Sequence, residues 1–247
     1  MTLKTFFDDI FYPASEVELN KLISFENSGN SKVIIIPHAG LENINQAYNI
    51  AFSAIKRAKR YVFIAPMHNG KYPDSESSLF TISSCQINGV NCESVNNLTA
   101  DDSILEEEYT LELATLFISK LDSSSILLPI FTALEFSDEI KKLKSLIRSL
   151  DDGDTSFIIS ANFSEETNNE KAKEMAKTLI QSLNEQKPLV DDEKKGIISG
   201  CGIKILEAFR NLYSSFIVFG IQDGSNFTNN IEEIKGNIIH LAGAFND

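Results

Sequence analysis

Short runs of β-branched and aromatic residues alternate along this chain with longer segments whose apolar positions recur every three or four residues. Val33–Pro37 (VIIIP), Tyr61–Pro66 (YVFIAP), Ser125–Ile130 (SILLPI), Ser156–Ser160 (SFIIS), Ser215–Gly220 (SFIVFG) and Asn237–Phe245 (NIIHLAGAF) read as strands. Most are apolar throughout, the pattern of strands covered on both faces. Between them the periodicity predicts helices over about Asn43–Arg60, Ser103–Leu121, Ser137–Leu150 and Glu166–Glu185, and another in CGIKILEAFRNLY after Gly200. Ser15 and Glu18 form a capping-box pattern that opens a first helix, running to about Glu26. Asn88-Gly89 is a type I′ hairpin signal, and it sets Cys85 and Cys92 opposite each other across two antiparallel strands. The expected fold is α/β: a mostly parallel sheet with helices on both faces and an inserted antiparallel hairpin.

Composition narrows this picture. A chain of 247 residues with no linker or repeat is expected to form one domain over residues 1–247. Hydrophobic residues make up 43% and charged residues 23%, an ordinary balance for a globular protein. The net charge of -13 argues against nucleic-acid binding. The densest basic run, Lys56 to Arg60, fits the last turn of a helix, where cations suit the macrodipole. No stretch reaches the roughly 18 apolar residues of a membrane span, and the first residues lack a signal peptide's apolar core, so a cytoplasmic location without membrane contact is expected. Three cysteines do not make a disulfide framework. Cys85 and Cys92 are expected as reduced thiols, with a reversible disulfide as the alternative.

The candidate chemistry sits at strand ends. Of three histidines, His38 follows VIIIP and His68 follows YVFIAP, each just before a turn of small residues. Ligands in open α/β sheets bind at the carboxyl ends of strands, and neutral imidazole suits Zn, Cu, Fe and Ni. Cys201 lies between two glycines at a helix start, a setting that favours thiolate. The competing reading makes each of these a packed side chain beside a tight turn. His240, alternating with apolar residues in the last strand, reads as core packing. Glu106, Glu107, Glu108 and Glu112 read as a solvated helix face. Glu165 and Glu166 follow SFIIS, where a carboxylate could do acid/base work or stabilise a helix N-terminus. The chain has no GxGxxG, P-loop or CxxC.

Six segments, in order, resemble the MEMO family, also called AmmeMemoRadiSam system protein B. Phe11-Tyr12-Pro13-Ala14 looks like its opening FYP segment, Pro37-His38-Ala39-Gly40 matches its PHAG motif, and Ala65-Pro66-Met67-His68 resembles its GPSH motif. Glu108-Tyr109-Thr110-Leu111-Glu112 looks like EHSLE, Ala161-Asn162-Phe163-Ser164-Glu165 sits where the family has an SDFSH-like run, and Cys201-Gly202 matches the start of its CGR segment. That family is similar in fold to the class III extradiol dioxygenases, which hold non-haem iron with two His and a carboxylate. The resemblance implies a metal site of His38, His68 and Cys201, with Fe or Cu as the ion, Glu165 as the acid/base position, and partners of the AMMECR and radical SAM types. The chain departs from the family where Tyr109 and Glu165 replace histidines and Ile203 replaces an arginine. Two of these departures fall on proton-transfer positions, and the three ligand positions are kept.

Three functional readings follow. The first is a mononuclear metal protein with oxidative, dioxygenase-like chemistry. The second is a non-catalytic module that binds a peptide or protein in the same crevice. The third is a metal-free thiol hydrolase with Cys201 as nucleophile and His38 or His68 as base.

Overall fold

The computed structural model describes residues 5–68, 77–134, 137–164, 166–224 and 226–246. Its core is four parallel strands in the order β1 (Val33–Ile36), β8 (Thr155–Ser160), β2 (Arg60–Pro66) and β7 (Ile126–Thr132). On one side β11 (His240–Asn246), β9 (Ser215–Asp223) and β10 (Asn226–Thr228) extend the sheet with antiparallel pairings. On the other, β7 pairs antiparallel with β3 (Leu79–Thr81), which leads to β6 (Thr99–Ala100). The hairpin of β4 (Cys85–Ile87) and β5 (Val90–Cys92) docks on the same edge, with β5 parallel to the start of β7. The expected parallel α/β core with an antiparallel hairpin is therefore present.

Alternation divides the strand residues between two apolar layers. Val33, Ile35, Val62, Ile64, Phe157 and Ile159 face one side. There they meet α4 (Ser137–Leu150), α5 (Asn169–Asn184) and α7 (Ile203–Phe209), which bury Leu143, Ala176, Leu179, Leu206 and Phe209. A short α6 (Val190–Lys194) precedes α7. Ile34, Ile36, Tyr61, Phe63 and Ala65 face the other side, under α2 (Leu41–Ala54) and α3 (Thr110–Asp122). Burying each such side chain stabilises the fold by about 1.5–3 kcal/mol, so a register slip of one residue would exchange the two layers at large cost.

Several boundaries differ from expectation. Ser15 stands at the N-cap of α1 (Glu16–Leu22), but its hydroxyl makes no capping bond. That helix ends at Leu22, whose carbonyl accepts from Asn49 Nδ2. Helix α2 stops at Ala54 because its last carbonyls are taken by another segment: Asn27 Nδ2 donates to Phe52 and Ile55, and the Gly29 and Ser31 amides donate to Ser53 and Ala54. The basic run Lys56–Arg60 consequently lies in the turn and first residue of β2, not in a helical last turn. The segment read as one helix from Ser103 divides into a 3-10 turn at Asp102–Glu106, where Asp101 accepts from the Ser103 amide, and then α3. No helix among the described residues is long and apolar enough to cross a membrane.

Candidate metal centre

Because β8 lies between β1 and β2, three chain turns meet at one end of the sheet: those carrying His38, Ser160–Asn162 and His68. The fourth contributor is the loop Gly200-Cys201-Gly202, which comes up from the α7 side. Both glycines are needed there. Gly200 has φ 140°, and a Cβ on it would stand 2.3 Å from the Asn162 carbonyl oxygen. Gly202 has φ 82°, and its Cβ would meet the Ala161 side chain at 2.9 Å. Only glycine combines that backbone with so close an approach, and the approach brings Cys201 to the histidines.

The three side chains converge. Cys201 Sγ is 2.8 Å from His38 Nε2, and His68 Nε2 is 3.0 Å from the same atom. One ligand atom from each residue lies within 4.8 Å of the others. Among the described residues this is the one such group of three.

Each member is oriented from behind. His38 is 4% exposed, and its Nδ1 is 2.8 Å from Ser160 Oγ. Its backbone is clamped by Asn162, whose Oδ1 accepts from the His38 amide at 3.2 Å and whose Nδ2 donates to the His38 carbonyl at 3.0 Å. The Asn162 backbone amide donates to Cys201 Sγ at 3.1 Å, a bond that favours thiolate. Oδ1 of Asn162 is also 3.1 Å from His240 Nδ1. On the other side Glu108 holds His68: Oε2 is 2.8 Å from Nδ1, and Oε1 accepts from the His68 amide at 2.5 Å.

Burial keeps His38 well below the usual imidazole pKa, and the nearby His68 and His240 push the same way. Burial lowers His240 to about 4, against a smaller opposing effect of Asp223. His38 and His240 are thus neutral near pH 7. An ionised Glu108 can only accept, so it fixes the proton of a neutral His68 on Nδ1 and turns the Nε2 lone pair toward His38 and Cys201.

That placement fits a metal ion. Both histidines have Nδ1 engaged and Nε2 directed inward, the arrangement in which outer partners orient imidazole ligands. A thiolate and two imidazole nitrogens are a donor set for a borderline or soft transition ion. Without an ion, one His38 N–H would have to serve both the thiolate and the His68 lone pair.

The positions expected from the sequence fare differently. His38, His68 and Cys201 come together. Glu165 lies outside the described residues. Glu166 is a helix-start group: it accepts from the Thr167 amide and from Lys171, and these bonds pull its carboxyl down to about 2. Tyr109 stacks on Phe11, with ring centroids 3.7 Å apart. His240 is buried in β11, as expected for packing, but it also touches the Asn162 clamp. The solvated reading of the acidic run fails at two positions. Glu108 and Glu112 are each 3% exposed, and Glu112 binds the Tyr12 hydroxyl at 2.6 Å.

Glu108, Asn162 and Ser160 hold the candidate ligands, and the sequence reading did not single them out. The signal for Glu108 was in TLELATLFI: a helix apolar on nearly every side leaves no solvated face for a glutamate beside it. Asn162 and Ser160 carry no comparable signal beyond being polar at a strand end.

A cavity of about 230 Å3 opens beside the cluster, lined in part by Met67, His68, Leu134, Glu193, Cys201 and Lys204. Lys204 has no ion-pair partner among the described residues. In comparison with known proteins, no family model and no curated protein matches the chain.

Proposed function

We propose that the chain is a MEMO-like metal protein that holds a single Fe or Cu ion at His38, His68 and Cys201 and carries out oxidative chemistry on a small substrate. The observation that carries this reading is the convergence of two Nε2 atoms and one Sγ on one point, each oriented by an outer hydrogen bond. A bound ion would supply Lewis acidity and one-electron chemistry.

The chain's own residues set the conditions around it. Ser160 and Glu108 fix the two imidazoles, and Asn162 fixes the backbone of His38 and favours the Cys201 thiolate. Met67 and Leu134 supply apolar surface to the cavity beside the cluster. Lys204 offers a charge to an acidic group of the substrate, with Glu193 on the same wall selecting against a second one. Glu108 shares a proton with His68 Nδ1 and is the described residue best placed to take one up during turnover.

The test is metal content after anaerobic purification without a histidine tag, beside a His38→Ala/His68→Ala double variant. One Fe or Cu per chain, lost in the double variant, is the expected result. Absence of metal, with no uptake of Fe(II), Cu(I) or Zn(II), would overturn the reading.

A second reading rests on the 2.8 Å contact of Cys201 Sγ with His38 Nε2. If Ser160 donates to Nδ1, His38 Nε2 carries the proton and pairs with the thiolate as in a cysteine hydrolase. That reading expects iodoacetamide modification of Cys201 that is fast at pH 7 and slows below about pH 6. Ordinary thiol reactivity would sink it.

A further inference from the structure

Away from the metal centre, a second pair of sulfur nucleophiles is built into the hairpin. Cys85 in β4 and Cys92 in β5 are direct partners in antiparallel register. The turn pins that register: Asn88 and Gly89 have φ of 49° and 80°, the two left-handed residues of a type I′ turn. Ile87 and Val90 close the turn as a hydrogen-bonded pair. Alternation makes Gln86 and Asn91 the non-bonded pair, and Cys85 and Cys92 the next bonded one. Cα atoms in such a pair are about 5.5 Å apart, inside the roughly 4.4–6.8 Å that a disulfide spans. Their side chains leave the same face of the hairpin, so a bond needs side-chain rotation and no strand movement.

The hairpin is held from both sides. Asn88 Nδ2 donates to the Glu112 carbonyl and to Thr115 Oγ1 at 3.0 Å. Asn91 and Cys92 pair with Ile126 and Leu127 of β7. The two thiols are unequal. Cys85 is half-buried and Cys92 is 1% exposed. A hydrogen bond from the Cys92 thiol lowers the pKa of Cys85, and the same bond, with burial, raises that of Cys92. An accessible thiolate thus stands beside a sheltered partner, the arrangement of an attacking and a resolving cysteine.

We propose that Cys85 and Cys92 form a reversible disulfide, closed by a hydroperoxide and opened by a dithiol. The Cys85 thiolate attacks one peroxide oxygen, the O–O bond breaks, hydroxide leaves, and Cys85 becomes a sulfenic acid. Cys92 sulfur then attacks Cys85 sulfur, displaces the hydroxyl as hydroxide and gives up its proton. In sum two thiols lose two electrons and two protons, and hydrogen peroxide is reduced to two waters. The closed bond fastens the open end of the hairpin, where β4 has no pairing other than β5 among the described residues.

The experiment treats reduced full-length protein with hydrogen peroxide, then unfolds it, alkylates it and reads masses. The tryptic fragment 72–120 contains Cys85 and Cys92 but not Cys201. It is expected to escape alkylation, to be two hydrogens lighter, and to regain both alkyl groups after dithiothreitol. In Cys85→Ser, a change at the half-exposed position, Cys92 is expected to remain alkylatable after the same treatment. Three outcomes would overturn the proposal: both thiols still free in oxidised wild type, a bond from either to Cys201, or Cys92 lost at the wild-type rate in Cys85→Ser.

Discussion

The two histidines occupy matching strand ends but opposite surroundings. His38 is held from behind by neutral groups, the Ser160 hydroxyl and the Asn162 amide, and only 4% of it is exposed. His68 has a side chain 36% exposed and is gripped by a carboxylate that is itself 2% exposed. Burial keeps His38 uncharged, and its neutral partners hold it in place. Glu108 gives His68 an acceptor at both Nδ1 and the backbone amide. Two candidate ligands that look equivalent along the chain are therefore held differently, one by neutral groups and one by a carboxylate.

Removing the carboxylate should expose that asymmetry most. Glu108→Ala leaves the His68 ring and amide without their acceptor, and metal affinity is expected to fall toward 100-fold, the upper end for outer partners of metal ligands. Glu108→Gln should fall between this and wild type. Titration of metal-free protein with Co(II), followed by its absorption, measures both. Ser160→Ala is expected near the 10-fold end, and an equal loss in the Ser160 and Glu108 variants would erase the contrast.

Asn162→Asp tests the neutral side by stability. The new carboxylate cannot donate to the His38 carbonyl and would face it as like charge. A loss of about 1–3 kcal/mol is expected in urea unfolding of the metal-free protein, and no change would mean the clamp carries nothing.

The histidine environments also predict a pH dependence. His240 has a lower pKa folded than unfolded, so the unfolded chain binds the proton more readily. Its contribution is present above about pH 6.5, declines as pH falls, and is gone near pH 4. Metal-free protein should lose on the order of 2–3 kcal/mol over that window from this group, and His240→Gln should flatten the profile. An unchanged profile would show that His240 is protonated at no cost in the native state.

The smallest effect is expected from Lys204→Ala: a stability change within about 0.5 kcal/mol and weaker binding of carboxylate probes such as acetate or benzoate to the Co(II) protein. Binding that is unaffected would remove Lys204 from the cavity's recognition role.

Much of this was legible in the chain. Apolar runs such as VIIIP and YVFIAP marked buried parallel strands, and two of only three histidines lie within two residues of their ends. The Asn88-Gly89 dipeptide set the hairpin and its cysteine register. What escaped was decided by contacts between distant segments. Asn27 and Gly29 end α2 early by occupying its carbonyls, which moves Lys56–Arg60 out of the helix. Glu108 looks like surface in a run of three glutamates, and only the turn that breaks the helix at residues 107–109 swings it inward to His68. Asn162 is one polar residue among several, and its importance comes from contacts just past the end of β8, where its side chain reaches both His38 and His240.

The strand order has a consequence for how the protein is made. His38, His68 and Glu108 all leave the ribosome before β8, the strand that must slide between β1 and β2 to set the two imidazoles at their spacing. Cys201 follows later still. A nascent chain extended as far as Leu150 carries both histidines yet has neither spacer nor thiolate, so it offers no complete binding site. The three candidate ligands can therefore converge only once the chain has been made past Cys201.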